Sequence, residues 1–393
     1  MSAVTVAVSA LILGTILYGK LWNQLDVFGG EGSQIQAAES PEGGINILVV
    51  GSDDRTGQGE DFNEGEEGAE GRLNDVNMLV HIAEDLSHAE VVSIPRDTII
   101  STSACKGDDG KSYEEQYDIP FNSILGTFGG MNCIANAIEY MSGIDVHYAA
   151  MVQFKGVIEM SNAVGGVEVC VAEPIDDTYI NFHLEPGMHE LQGEEALKFL
   201  RTRHGVGDGS DLARISNQQV FLSALVRKLK SGDTLTNPVK LYGLAQAVSQ
   251  NMTLSRSLAS MDTLMSLASS VAKIPTENIT FISLPVADSY IEGKVQPMDP
   301  DAENLWTLIR NDKSLTEPAA PAPTAKPNAS GESGQTTEDD EENSSESEAA
   351  DESEASGSGQ AGSTPQPTFP SDGGTVQQTN ANQVNCANED SLF

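Results

Sequence analysis

The run Ile45-Asn46-Ile47-Leu48-Val49-Val50, closed by Gly51, constrains the fold more than any other feature of the chain. A stretch this rich in aliphatic and β-branched residues, and this short, reads as a buried strand. Val76 to Ile82 and Ala89 to Ile94 read as two more strands, joined by a polar turn over residues 83–87. Met131, Ile134, Ile138 and Met141 fall on one helical face, with Gly143 placed as its C-cap. Val167 to Val171 is a short strand after two glycines. Asp211 is placed to cap a helix whose buried stripe is Ile215, Leu222, Leu225, Val226 and Leu229, ending at Gly232. Further helices fit 238–250 and 258–273, and a last strand fits Ile279 to Leu284. Strands alternating with helices predict an α/β domain with a covered sheet over residues 45–314.

The flanks differ from this core. Residues 1–22 hold an apolar run with no charged side chain before Lys20, near the lower limit for a bilayer span, and are expected to be a retained transmembrane anchor. Residues 23–44 are Gly- and Glu-rich and read as a linker. From residue 315 to 393 there are 15 Asp/Glu and one Lys, with Pro, Ala, Ser and Gly between them. Such a stretch cannot bury enough apolar surface to offset chain entropy, so a disordered acidic tail is expected. Within it, Val384-Asn385-Cys386-Ala387 is the one segment suited to docking. The net charge of −38 disfavours nucleic acid as a partner, because the long-range field repels polyanions.

An anionic ligand therefore needs a local concentration of arginine. Of nine arginines, six fall in three short segments with acids and glycines: Arg55; Arg72 and Arg96; and Arg201, Arg203 and Arg214. Several follow predicted strands, where ligands gather in open α/β sheets. Arg201 and Arg203, two apart, share a face if the segment is extended. Guanidinium forks match phosphate oxygens two at a time. Asp53 and Asp75 are candidate ligands for a hard cation such as Mg²⁺, which takes one or two carboxylates plus phosphate oxygens. Together these residues suggest a pyrophosphate held by arginines and a metal.

The order Gly51-Ser52-Asp53-Asp54-Arg55, Asp75 to Ile82, Ser93-Ile94-Pro95-Arg96-Asp97-Thr98, Asn122 with Phe128-Gly129-Gly130, Gly165-Gly166-Val167, Leu191 to Leu197, Arg201-Thr202-Arg203-His204 and Asp211 to Gln219 resembles the LytR–CpsA–Psr family. The resemblance implies a central mixed sheet sandwiched by helices, with a long apolar cleft for lipid. It implies a membrane-anchored, Mg²⁺-dependent phosphotransferase outside the cytoplasm. Such an enzyme moves a glycopolymer from a polyprenyl-pyrophosphate carrier onto peptidoglycan, leaving a phosphodiester. On that reading Arg55, Arg96, Arg201, Arg203, Asp75 and Asp97 are catalytic, with Asp75 or Asp97 as candidate base. Arg72, Asn122, Arg214 and Gln218 bind substrate. The chain departs from the pattern where Arg72 stands three before Asp75, where Pro120-Phe121-Asn122 loses a cation, and in an acidic insert between Arg55 and Arg72. Transfer onto a wall-anchored surface protein, hydrolysis by water, and a non-catalytic polymer-binding scaffold are the rival readings.

Other signals are weaker. Gly205 to Gly209 lacks the lysine of a phosphate loop and reads as a mobile loop beside the arginine pair. Asp108-Asp109-Gly110 is too short for a calcium loop. Four cysteines fit reduced thiols or two bridges. Cys105 and Cys133 flank a long loop poor in periodic structure, and related sequences, as the resemblance implies, often carry Cys at similar places. Cys105–Cys133 and Cys170–Cys386 are the expected pairs.

Overall fold

The computed structural model describes residues 26–28, 35, 43–53, 72–231, 244, 247–248, 250–316 and 378–388. The expected anchor, the 56–71 insert, most of the helix expected at 238–250 and most of the acidic tail lie outside the described residues. Residues 317–368, a unit by themselves, lie wholly outside them. Among the described residues, no helix is long and apolar enough to cross a membrane.

Eleven strands matter here: β1 (Asp26–Phe28), β2 (Ile45–Ser52), β3 (Asn74–Ile82), β4 (Ala89–Ser93), β5 (Tyr148–Val152), β6 (Val167–Val171), β7 (Gly187–Leu191), β8 (Met252–Ser255), β9 (Ile279–Ser283), β10 (Gln378–Asn380) and β11 (Cys386–Ala387). Six helices accompany them: α1 (Met131–Ser142), α2 (Phe154–Ala163), α3 (Glu194–Arg201), α4 (Asp211–Ser231), α5 (Met261–Lys273) and α6 (Asp301–Arg310). Eight strands form one mixed sheet in the order β1-β8-β5-β2-β3-β4-β9-β10. β3 runs antiparallel to both β2 and β4, while β5 is parallel to β2 and β9 to β4. The carboxyl ends of β2, β4, β5 and β9 therefore lie at one edge with the amino end of β3. A smaller sheet, β7-β6-β11, packs beside α4.

The two faces of the main sheet are packed differently. Leu48, Val50, Leu79, Val92 and Ile282 meet α1 and α6 in the tightest core, where Ile134, Ile138, Leu305 and Trp306 are fully buried. On the opposite face Ile45, Ile47 and Val49 are only half-buried. They stand with Val76, Val80, Leu222 and Val226 in a looser cluster that includes Phe281. A single strand thus alternates between a sealed face and an accessible one, which its sequence of aliphatics on both faces conceals.

Several expectations need correction. Asp26–Phe28, within the expected linker, pairs with β8, and Ile35 is buried. The expected tail returns to the body over residues 378–388, where β10 extends the main sheet and β11 the small one. The loop between Cys105 and Cys133 carries hairpin strands at Ser112–Tyr113 and Gln116–Pro120. Ser210, not Asp211, caps α4, its Oγ accepting the Ala213 amide at 3.2 Å. The expected stripe is divided: Leu222 and Val226 pack with the accessible face of the main sheet, and Leu225 and Leu229, only half-buried, flank the small-sheet cluster, whose buried α4 members are Ala213, Val220, Phe221 and Ala224. Cys105 bonds Cys133, with Cα atoms 5.5 Å apart, and Cys170 bonds Cys386 across the β6–β11 register pair.

The first bridge closes a loop of 28 residues onto the first turn of α1. Replacing both partners, Cys105→Ser and Cys133→Ser, should cost about 3–4 kcal/mol in the chain-entropy model. Urea unfolding of the variant beside the wild type measures it; an unchanged midpoint refutes that contribution.

Candidate functional site

At the shared strand edge the chain builds an ion-pair lattice on a rigid base. Asn74 Nδ2 donates to Asn77 Oδ1 at 2.8 Å and to the Phe121 carbonyl at 3.0 Å, and Asn74 Oδ1 accepts the Leu125 amide. Both asparagines are buried, so every bond satisfies a group that water cannot reach. The loop after β4 is pinned to the same base: the Asn122 amide donates to the Arg96 carbonyl at 3.0 Å, and the Phe121 amide to the Thr98 carbonyl at 2.9 Å. Asn122 therefore holds the loop through its backbone, and its side chain does not line the cavity described below.

Asp75 and Arg96 then meet. Arg96 Nη1 donates to Asp75 Oδ1 at 2.6 Å, and its Nε lies 3.5 Å from Asp97 and 3.7 Å from Asp211. The Arg96 amide also donates to Asp211 Oδ2. From α4, the buried Arg214 donates to the Asp75 carbonyl at 2.7 Å and pairs with Asp211 at 2.5 Å. Asp211, Arg214 and Gln218 follow the i, i+3, i+7 spacing of one helix face. Burial opposes the charge on both arginines. At Arg96 three carboxylates, Asp75 foremost, outweigh it and raise the pKa; at the deeper Arg214 burial wins and lowers it. Asp97 is shared between Arg96 and Lys294, the latter at 2.5 Å, and does not line the cavity.

Arg201 ends α3, and Arg203 follows the extended Thr202. Arg201 is exposed, its guanidinium 4.3 Å from the Phe154 ring centroid. The segment is set by a residue the sequence did not single out. Buried Asp177 accepts the Thr202 hydroxyl at 2.9 Å, the Arg203 amide at 3.1 Å and the His204 amide at 3.3 Å. Gly205 lets the chain close over it, since a Cβ there would lie 2.8 Å from the Asp176 backbone. His204 stacks on Tyr179 at 4.0 Å, a structural contact.

Behind these arginines lies a cavity of about 500 Å³. Its charged lining is Asp75, Arg96, Arg201, Arg203 and Arg214: four cations and one carboxylate in an acidic chain. Gln218 also lines it, donating to the Leu200 carbonyl. The remainder is mainly apolar, with Val49, Val76, Val157, Val164, Leu222, Leu225 and Leu229 among the residues of the accessible sheet face and α4. The helical stripe read as core is one wall of this cavity. The Nε atoms of Arg96, Arg203 and Arg214 are buried and have no hydrogen-bond acceptor among the described residues, an arrangement that an oxyanion at the mouth would satisfy.

Not every expected residue arrives. Asp53 Oδ1 accepts the Leu73 amide at 2.9 Å, and Asp53 does not line the cavity. Asp75 is the carboxylate that does, with its Oδ1 already held by Arg96. Arg72 is exposed and sits near Asp108, whose two oxygens accept the Met131 and Asn132 amides at the start of α1. Asp108 is thus a helix cap rather than a metal ligand. Arg55 lies outside the described residues.

Asp177 supplies a test. Burial pushes its pKa up, but the Arg203, Thr202, Tyr179 and His204 donors outweigh burial and leave it lowered. An acid with a depressed folded pKa stabilises above its unfolded value, and loses that contribution as pH falls through the folded value. Asp177→Ala should cost on the order of 3 kcal/mol at neutral pH by leaving buried donors unpaired. The difference should shrink below about pH 4, where the unfolded carboxyl protonates. Chemical denaturation of both proteins across pH 3–7 checks it; a pH-independent difference contradicts the assignment.

Comparison with known proteins agrees with this fold. The Corynebacterium glutamicum cell wall biosynthesis protein LcpA is 30% identical over 311 residues, covering 70% of this chain and 56% of that protein. A second protein from that organism, LcpB, is 31% identical over 204 residues, 45% of its length. The chain thus spans about half the length of these two relatives. The Bacillus subtilis polyisoprenyl-teichoic acid–peptidoglycan teichoic acid transferase TagT is 26% identical over 270 residues, 66% of this chain and 76% of that protein. Among solved structures, a LytR-Csp2A-Psr enzyme from Actinomyces oris superposes with a TM-score of 0.53 at 23% identity, covering 72% of this chain and 94% of that one. TagT bound to LIIa-WTA superposes at 0.51 and 23%, covering 73% and 98%; both likenesses concern the fold. Residues 26–311 match the LytR_cpsA_psr family model, and the chain belongs to that family.

Proposed function

We propose that the protein is a phosphotransferase that moves a glycopolymer from a polyprenyl-pyrophosphate carrier onto peptidoglycan, leaving a phosphodiester. The observation that carries this reading is the cavity: four arginines and one carboxylate at its mouth, an apolar interior behind them. A polyprenyl pyrophosphate has the same division, a dianionic or more highly charged head on a hydrocarbon tail. The name of the TagT relative, a polyisoprenyl-teichoic acid transferase, supports the same class of donor.

On this reading the guanidinium groups of Arg96, Arg203 and Arg214 hold the pyrophosphate, and Arg201 binds it from the exposed rim. The acceptor hydroxyl oxygen forms a bond to the phosphorus nearer the glycan, and its proton passes to the departing polyprenyl phosphate. The bond from that phosphorus to the bridging oxygen breaks, and polyprenyl phosphate leaves with the electron pair. In such a step, preorganised donors aimed at the charge that develops usually lower the barrier more than any other effect. Asp75 is proposed to hold Mg²⁺, with Asp53 at the neighbouring strand end in support; the ion supplies neutralisation of phosphate charge. Arg55 is proposed to be catalytic and Arg72 to bind substrate, as the resemblance implies. The body is proposed to lie outside the membrane, held by residues 1–22.

A donor assay with a synthetic lipid-pyrophosphate glycan and peptidoglycan fragments tests this. Arg203→Ala should lower turnover on the order of 10²–10³-fold, as for a lost transition-state donor. Wild-type turnover in a folded variant defeats the role. Chelation should abolish transfer and Mg²⁺ should restore it, while Asp75→Asn should remain inactive; full activity in chelator removes the metal from the proposal. Leu225→Trp, which fills the apolar wall, should penalise long-chain donors more than short ones. Mass spectrometry of wall fragments from a depletion strain separates the acceptors: the phosphodiester-linked glycan should vanish from muropeptides, and loss from a surface protein alone points to a protein acceptor.

A further inference from the structure

At the other end of β3, about six residues and so about 20 Å from Asp75, lies a second cluster of polar groups. His81 faces Glu90 across the β3–β4 register. His88 precedes β4, and Asp312 follows α6. One ligand atom each from His81, His88 and Asp312 lie within 4.8 Å of one another. Glu90 Oε2 is 3.7 Å from His88 Nε2. His81 and Glu90 are 1% and 0% exposed, so neither is a solvated surface group.

Each member is held by a partner on its outer side. Asp312 Oδ2 accepts the Glu84 amide at 3.2 Å, leaving Oδ1 turned to His81. Glu90 Oε1 accepts the Leu315 amide at 3.3 Å, while Oε2 is buried with no hydrogen-bond donor among the described residues. His88 Nδ1 lies 2.8 Å from Ser87 Oγ. His81 Nδ1 lies 2.8 Å from Asn46 Oδ1. Buried side chains with an oriented outer partner and one inward atom are the usual construction around a metal.

The Asn46 contact decides the matter of protons. Asn46 Nδ2 donates to the Asp145 carbonyl at 3.0 Å, so the amide oxygen is the atom that meets His81. His81 Nδ1 must then carry the proton, and in the neutral ring Nε2 offers a lone pair. That lone pair stands 2.9 Å from Asp312 Oδ1, itself a lone-pair donor. The contact is repulsive unless a cation or a second proton lies there. Gly44, at φ +90°, keeps the approach open: a Cβ there would lie 2.8 Å from His81 Cε1 and 3.3 Å from Asp312 Oδ1.

We propose that His81, His88 and Asp312 form a second metal site, with the buried Glu90 carboxylate beside His88, specific for a first-row transition ion of the Zn²⁺ type. Two imidazoles and one carboxylate suit Zn²⁺ better than Mg²⁺, which takes oxygen ligands and retains waters. The site ties β3, β4 and the segment after α6 together, far from the arginines, and serves stability rather than transfer.

The test uses the full chain, stripped by chelator, loaded with Zn²⁺ and freed of excess metal by gel filtration. Wild type and Asp75→Asn should each retain one zinc per chain and unfold several degrees higher than when stripped. His81→Gln with His88→Gln should retain less than a tenth as much and show no such rise. Asn46→Leu keeps all three ligands but removes the acceptor that orients His81; it should weaken Zn²⁺ about 10–100-fold with an unchanged circular dichroism spectrum. A wild-type chain that retains no zinc overturns the site, as does equal retention by the double histidine variant. Mg²⁺ restoring transfer and Zn²⁺ restoring thermal stability are separate readouts, so either proposal can fail alone.

Discussion

The contact between Asp75 and Arg96 organises the site end of the molecule. Asp75 gives its carboxylate to Arg96 and its carbonyl to Arg214, and Asp211 bridges both arginines from α4. One residue at the start of a strand thus joins the central sheet, the loop after β4 and the longest helix. Burying such charges is costly, and a buried pair that loses one member leaves the other uncompensated. The protein meets that cost with alternating signs and with neutral amides beneath them. Asn74 and Asn77 fix the backbone of β3, so the lattice rests on atoms that have no freedom to relax.

That lattice also explains how a chain of net charge −38 offers a cationic mouth. Of the acids that partner the arginines, Asp97 and Asp211 do not line the cavity and Asp75 does, beside four arginines. The carboxylates position; the arginines are presented. The half-buried face of β2 continues the cavity inward, because α4 turns Leu222, Leu225 and Leu229 toward it. The sealed and accessible faces of one sheet divide the work between stability and binding.

Much of this was legible in residue order. β2 and α1 were evident because their patterns are local: an unbroken aliphatic run and a four-residue stripe ended by glycine. The clustered arginines pointed to the cavity because rare cations in an acidic chain are informative. What was not legible depends on distant pairing. Asp177 sits in a hairpin with no motif, and its importance lies in three donors 25–27 residues later. Lys294 reaches Asp97 from 197 residues away. The apolar stripe of α4 has the same spacing whether it faces protein or a cavity, so periodicity could not separate them. Asp211 looked like a cap because its neighbour Ser210 fills that role one position earlier, freeing the carboxylate for Arg96.

The return of residues 378–388 to the body changes the topology of the acidic stretch before it. Leu315 is buried at one end, and β10 and β11 are hydrogen-bonded into two sheets at the other. Cys386 is bonded to Cys170 in β6. Residues 317–377 therefore belong to a covalently closed ring rather than to a free end. A single proteolytic cut anywhere in that stretch opens the ring without releasing the terminal piece, which stays attached through sulfur. Shedding it requires both a cut and a reductant, so the chain can be nicked there and still migrate as one molecule until the disulfide is broken.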